Sequence, residues 1–157
     1  MKPIDCTPLS DDEIHVWRFP LIAARQEITS IGRWLSEKET KALGRMVSDV
    51  QRNRRTVAWG RLRFILSRYL GCAPHEIQIE RARIMRPRVV HPNHKELQFN
   101  LSHSGSFGLI GISRVAVGVD IEKVNTSARI EELATRFFSY EVLRQNLRTL
   151  LVDLFGS

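Results

Sequence analysis

Residues 99–122 read FNLSHSGSFGLIGISRVAVGVDIE, and their pattern decides the fold class. Near the end of this run Val117, Val119 and Ile121 alternate with Gly118, Asp120 and Glu122. A period of two belongs to a β-strand, so the pattern predicts a strand with both carboxylates on one face, about 7 Å apart. Upstream, Leu97, Phe99 and Leu101 alternate with Asn100 and Ser102, a second predicted strand that ends on Ser102, His103 and Ser104. Adjacent strands would set a Ser-His-Ser end beside an acid pair.

Two carboxylates aimed the same way favour a cation between them. Hard oxygen ligands, few in number and without a second acid cluster nearby, suit Mg²⁺ or Mn²⁺ held by one or two carboxylates plus water and substrate phosphate. A phosphate-bearing substrate is therefore expected beside Asp120 and Glu122. The hydroxyls of Ser102 and Ser104, the His103 ring and the Gly-flanked backbone are suited to phosphate oxygens. A solvated strand face would carry the same acids, and a structural histidine the same ring.

The motifs FNLSHS and GVDIE, followed by RFFS at 136–139, resemble the signature of Sfp-type 4′-phosphopantetheinyl transferases. HVWRF at 15–19, LSEKE at 35–39, the RNRRTVAWGRLRFILSRYLG run ending at Gly71, and IMRPRV at 84–89 fall in that family's order, so the resemblance covers residues 14–139. It implies transfer of phosphopantetheine from coenzyme A to a serine of an acyl or peptidyl carrier protein, with release of 3′,5′-ADP. It also implies that Asp120 and Glu122 bind Mg²⁺, and that Ser102 and His103 contact coenzyme A phosphates, with His103 counted among the catalytic residues. Arg55 matches a basic position that grips the 3′-phosphate. Arg86 stands where the family usually has a lysine near the adenine, which keeps the charge and changes the donor geometry. The family continues past RFFS into a Trp-x-x-Lys-Glu motif that nothing here matches.

The implied fold is α+β, one half of a pseudo-dimer plus the opening strand and helix of the next. Residues 1–114 are expected to form the N-terminal half, 115–139 the start of the second half with the metal-binding strand, and 140–157 a divergent tail without a place. Such a chain would leave an apolar face uncovered, which predicts self-association or a complementing second half. It is expected to bind ligand and to turn over weakly or not at all by itself.

Elsewhere the sequence predicts a strand around Ile14, Val16, Trp17 and Phe19, and a helix opened by a capping box of Ser36 and Glu39. A longer helix is predicted from Asp49 to Leu70, closed by Gly71, with Ala58, Leu62, Ile65, Leu66 and Tyr69 as its buried stripe. Short strands follow at 77–79 and 89–90 around the Arg86-Pro87 turn, and a helical pattern returns from Ala128 to Arg144.

The 157 residues carry 24 Lys and Arg against 17 Asp and Glu, a net charge of +7. Arg45, Arg52, Arg54, Arg55, Arg61, Arg63 and Arg68 supply much of it, with Arg63 read as an exposed helix residue. Coenzyme A is a polyanion, so the transfer reading uses this charge. A basic nucleic-acid-binding domain would use it too, but no recognition-helix pattern, zinc spacing or aromatic-bearing strand supports one. A non-catalytic fragment is the other alternative. Cys6 and Cys72 lack metal-like spacing and read as reduced thiols. With no signal peptide and no membrane-length apolar window, a cytoplasmic location is expected.

Overall fold

The helix that organises the molecule begins where the Ser48 hydroxyl accepts a hydrogen bond from the Gln51 N–H at 3.4 Å, and ends at Gly71 in the left-handed region. Its span, Asp49–Leu70, is the one the sequence predicts; we call it α3. The computed structural model describes residues 8–80, 87–90 and 97–123, with the backbone alone of 149–153. Cys6, Arg86 and the helical pattern at 128–144 lie outside the described residues.

Strand β1 (Ile14–Pro20) leads through α1 (Arg25–Gly32) and α2 (Glu37–Gly44) to α3, then through a short 3₁₀ turn at Pro74–Glu76 to β2 (Gln78–Glu80) and β3 (Arg88–Val90). Strands β4 (Gln98–Ser104) and β5 (Phe107–Ser113) form a hairpin, and β6 (Thr149–Asp153) completes the list. The main sheet has the order β4-β5-β1-β6, while β2 and β3 pair separately. Neighbouring β4, β5 and β1 are antiparallel, and β6 runs parallel to β1. The architecture is thus small α+β. No described helix is long and apolar enough to cross a membrane.

One face of the sheet packs on α3. Trp17, Phe19, Phe99, Ile110 and Ile112 meet Ala58, Leu62, Ile65, Leu66 and Tyr69 in a single core, as the helical stripe and the Leu97-Phe99-Leu101 alternation require. The capping box at Ser36 is present as expected.

Four readings need correction or addition. Strand β5 does not stand out in the sequence, because Gly108 and Gly111 break its apolar alternation. The hairpin turn accounts for the pairing: Gly105 has φ 58° and Ser106 has a negative φ, the arrangement of a two-residue turn with glycine first. The predicted strand over 117–122 is an extended segment with no backbone ladder, and residues 149–153 of the tail form β6 on the edge of β1.

Arg63 is the last correction, for it is not exposed: only 2% of it is accessible. From Thr56 onward α3 is covered almost all round, so a cation there must find partners inside. Its Nε donates to Glu39 Oε2 at 2.8 Å, and its Nη1 donates to the carbonyls of Ile77 and Pro74 at 2.7 and 3.2 Å. The same Glu39 oxygen accepts from the Ser36 N–H, so the cap of α2, the middle of α3 and the 3₁₀ turn are tied at one point. Arg61 likewise pairs with Glu27 of α1.

Arg63→Ala leaves the buried Glu39 carboxylate without its cation and should cost about 3–5 kcal/mol of stability, read as a lower denaturant midpoint at unchanged slope. An unchanged midpoint would contradict the role given to this pair.

Tyr69 predicts a pH dependence. Its hydroxyl accepts from Trp17 Nε1 at 2.8 Å and lies 2.8 Å from His15 Nδ1, and burial pushes the phenol up to about 12 from 10.0. The folded state holds this proton more tightly than the unfolded chain. Its contribution is therefore complete below pH 10 and is lost as pH rises toward 12, by about 2–3 kcal/mol. Tyr69→Phe should flatten the fall in stability over that window, measured by urea unfolding at each pH.

Candidate active site

Asn100, Ser102 and Ser104 leave β4 on the face away from α3, spaced two residues apart. Each accepts a backbone N–H of the following extended segment: Asn100 Oδ1 from Val119 at 3.1 Å, Ser102 Oγ from Ile121 at 3.3 Å, and Ser104 Oγ from Lys123 at 3.0 Å. The segment therefore runs parallel to β4 on side-chain rungs. Short acceptors at a two-residue repeat intercept the N–H groups that a ladder would otherwise take. Gly111 of β5 makes room for it, since a Cβ there would come within 2.5 Å of the Val119 side chain.

The rungs also set the acids. The Ser102 hydroxyl donates to Asp120 Oδ1 at 2.7 Å, and the Ser104 hydroxyl donates to Glu122 Oε2 at 3.3 Å. Both carboxylates are exposed, and neither is in an ion pair among the described residues. They share a side, as the alternation predicts, though on a segment held by side chains. Among the described residues no group of three or more His, Cys, Asp or Glu is placed to hold a metal ion. Two exposed carboxylates aimed by serine hydroxyls nonetheless suit a hard cation that takes its remaining ligands from water and phosphate.

His103 projects from β4 to the opposite face, beside the N-terminal half of α3. A cleft of about 390 Å³ opens there, with Gln51, Arg54 and Arg55 on the helix side and His103, Ser104 and Gly105 on the hairpin side. A second cleft of about 200 Å³ adjoins it, with Trp59 and Pro87 in its wall and Arg55 and His103 common to both. The Arg55 guanidinium lies 5.6 Å from the centre of the Trp59 ring, a stacking that holds the cation at the cleft. Two guanidinium groups, an imidazole and a hydroxyl facing one open space can receive an anion with several oxygens. Ser104 lines this space and bonds Glu122, so the cleft reaches that acid at the end of β4.

Of the residues singled out from the sequence, the structure brings Arg55 and His103 to one cleft and puts Ser102, Asp120 and Glu122 on the other face of β4, where Glu122 meets the cleft through the lining residue Ser104. Ser102 directs its hydrogen to Asp120. Arg54, named from the sequence only for its charge, lines the same cleft, and Trp59, not singled out there, lines the adjoining one. The four-residue spacing from Arg55 to Trp59 is the sign that would have found the latter, because such pairs share a helix face.

The family model described as the N-terminal part of 4′-phosphopantetheinyl transferase matches residues 22–114. A 4′-phosphopantetheinyl transferase of Nostoc sp., HetI, is 34% identical over 149 residues, covering 91% of this chain and 62% of the relative. A phosphopantetheinyl transferase of Thraustochytrium sp. is 31% identical over 90 residues, 57% of this chain and 31% of the relative. The chain thus spans less than two thirds of the length of the relatives it matches. By the match over residues 22–114, the chain belongs to the 4′-phosphopantetheinyl transferase family.

Proposed function

We propose that this chain carries the coenzyme-binding part of an enzyme that moves 4′-phosphopantetheine from coenzyme A to a serine of an acyl or peptidyl carrier protein. The observation that carries the reading is the convergence of Arg54, Arg55 and His103 on one cleft whose rim, at Ser104, is bonded to Glu122. In the reaction the serine oxygen bonds to the phosphorus next to the pantetheine, the pyrophosphate P–O bond breaks, and 3′,5′-ADP leaves with the electron pair. The serine proton passes to a base or to water.

Arg55 grips the 3′-phosphate, Trp59 behind it holds the guanidinium in place, and His103 hydrogen-bonds a phosphate oxygen. Asp120 and Glu122 would hold Mg²⁺ or Mn²⁺, which supplies charge neutralisation on the pyrophosphate when bound. Ser102 positions Asp120, and its contact to a coenzyme phosphate requires the hydroxyl to turn from that carboxylate. Arg86 is assigned to the adenine end by the resemblance. On the same reading residues 1–114 form the first half of a pseudo-dimer, 115–139 open the second, and 140–157 follow as a divergent tail; the protein works in the cytoplasm.

A metal held by two carboxylates and a phosphate should bind appreciably tighter when the phosphate is there. Calorimetric titration of Mg²⁺ should show stronger binding with coenzyme A than without it, and Asp120→Ala should remove the difference. Equal affinity in both titrations would refute the assignment of the acids.

Arg55→Ala should weaken coenzyme A binding by about ten- to a hundredfold, the loss of a charge-assisted hydrogen bond. The exposed Arg33, far from the cleft in sequence and not among its lining residues, serves as the control. Equal losses in Arg55→Ala and Arg33→Ala would reduce the contact to diffuse charge.

The polypeptide of these 157 residues lacks a Trp-x-x-Lys-Glu segment, so it should bind coenzyme A and convert an apo carrier protein slowly. The expected deficit is on the order of 10²–10³ for each missing charged group, restored by adding a polypeptide that contains the segment. The intact mass of the carrier reads the phosphopantetheine increment. Fast conversion by the 157 residues alone, abolished by Asp120→Ala, would mean that residues after Ser139 supply those groups.

A further inference from the structure

Six large apolar side chains stand exposed among the described residues: Ile22, Val47, Val50, Val90, Phe107 and Val115. Scattered singly, such residues call for no explanation. Three of them are not scattered. Ile22, Val47 and Val50 are the immediate chain neighbours of Leu21, Met46 and Gln51, all three of which line the 390 Å³ cleft. Val47 is 98% exposed and Ile22 65%. Val50 also lies one helical turn before the cleft residue Arg54, on the same face of α3.

The turn that presents Val47 is fixed. Arg52 Nη2 donates to the Met46 carbonyl at 2.7 Å, and Arg52 Nη1 pairs with Asp49 at 2.7 Å. Residues 45–55 hold four arginines and one acid, and Arg52 engages that acid. Arg45 stands two residues before Val47 in the chain, and Arg54 and Arg55 line the cleft beside which the apolar residues lie, so the cleft mouth is cationic.

We infer that Ile22, Val47 and Val50 are the docking surface for the carrier protein, which meets them with apolar side chains set among acidic ones. The inference rests on the transfer reading above. An acidic partner matches the cations beside the patch and is steered to the cleft mouth, where its serine must arrive. A second copy of this chain would set the same arginines against each other.

The test measures binding of labelled apo acyl carrier protein and of coenzyme A to the full 157-residue chain and to its Val47→Ser/Val50→Ser variant, with Val115→Ser as control. The two valines are solvent-exposed, so the fold and coenzyme A affinity should be unchanged. Carrier affinity should fall about tenfold or more in the double variant, stay put in Val115→Ser, and decline with added salt in the parent chain. Carrier affinity equal in parent and double variant overturns the inference, as does a matching loss in Val115→Ser. Sedimentation that shows a parent dimer dispersed by the double substitution, with carrier binding intact, assigns the patch to a second copy and also overturns it. Coenzyme A binding without any carrier binding refutes the docking surface alone, whereas failure to bind either ligand refutes the transfer reading with it.

Discussion

Three short polar side chains on β4 do for residues 119–123 what a neighbouring strand's backbone would normally do. Asn100, Ser102 and Ser104 take the N–H groups of Val119, Ile121 and Lys123, and two of the same hydroxyls donate onward to Asp120 and Glu122. One set of atoms therefore fixes both the path of the segment and the aim of its carboxylates. A serine hydroxyl has one hydrogen and two lone pairs, enough to accept from the backbone and donate to an acid at once. A ladder would have satisfied the backbone and left the acids to solvent. Carboxylates aimed in advance in this way need little reorganisation to receive a cation.

On the opposite face of β4 one wall of the cleft comes from α3, which is two helices in its environment. Its first turns face solvent and bring Gln51, Arg54 and Arg55 to the cleft. From Thr56 onward it is buried on nearly every side, against the sheet, α1, and the cap of α2. The Arg63–Glu39 pair belongs to that second environment, where each charge neutralises the other and Arg63 also donates to the carbonyls of Ile77 and Pro74. The rigid half holds the exposed half steady, so the arginines at the cleft stand on a helix anchored by the core.

Much of this was legible in the residues. Gly71 closes α3 because capping is local, and the Leu97-Phe99-Leu101 alternation marks β4 because one face is buried. The acid pair shares a side for the same reason of period. Strand β5 and helix α1 were harder to see. Gly108 lies against the Phe19 ring, where a Cβ would come within 2.5 Å, and such a fit depends on a strand almost ninety residues away.

The sequence by itself determined which residue types were available, where the long helix starts and stops, and that two carboxylates would point the same way. Those are outcomes of short-range rules: caps, turn residues and the periods of helix and strand. Only the tertiary structure decided which arginines serve the core and which the cleft, since Arg54, Arg55 and Arg63 lie within ten positions on one helix and differ only in what packs around them. It also decided that 117–123 hangs on side chains instead of joining the ladder. That choice depends on acceptors nineteen residues earlier in the chain and on the space above Gly111, and neither can be read from the segment's own pattern.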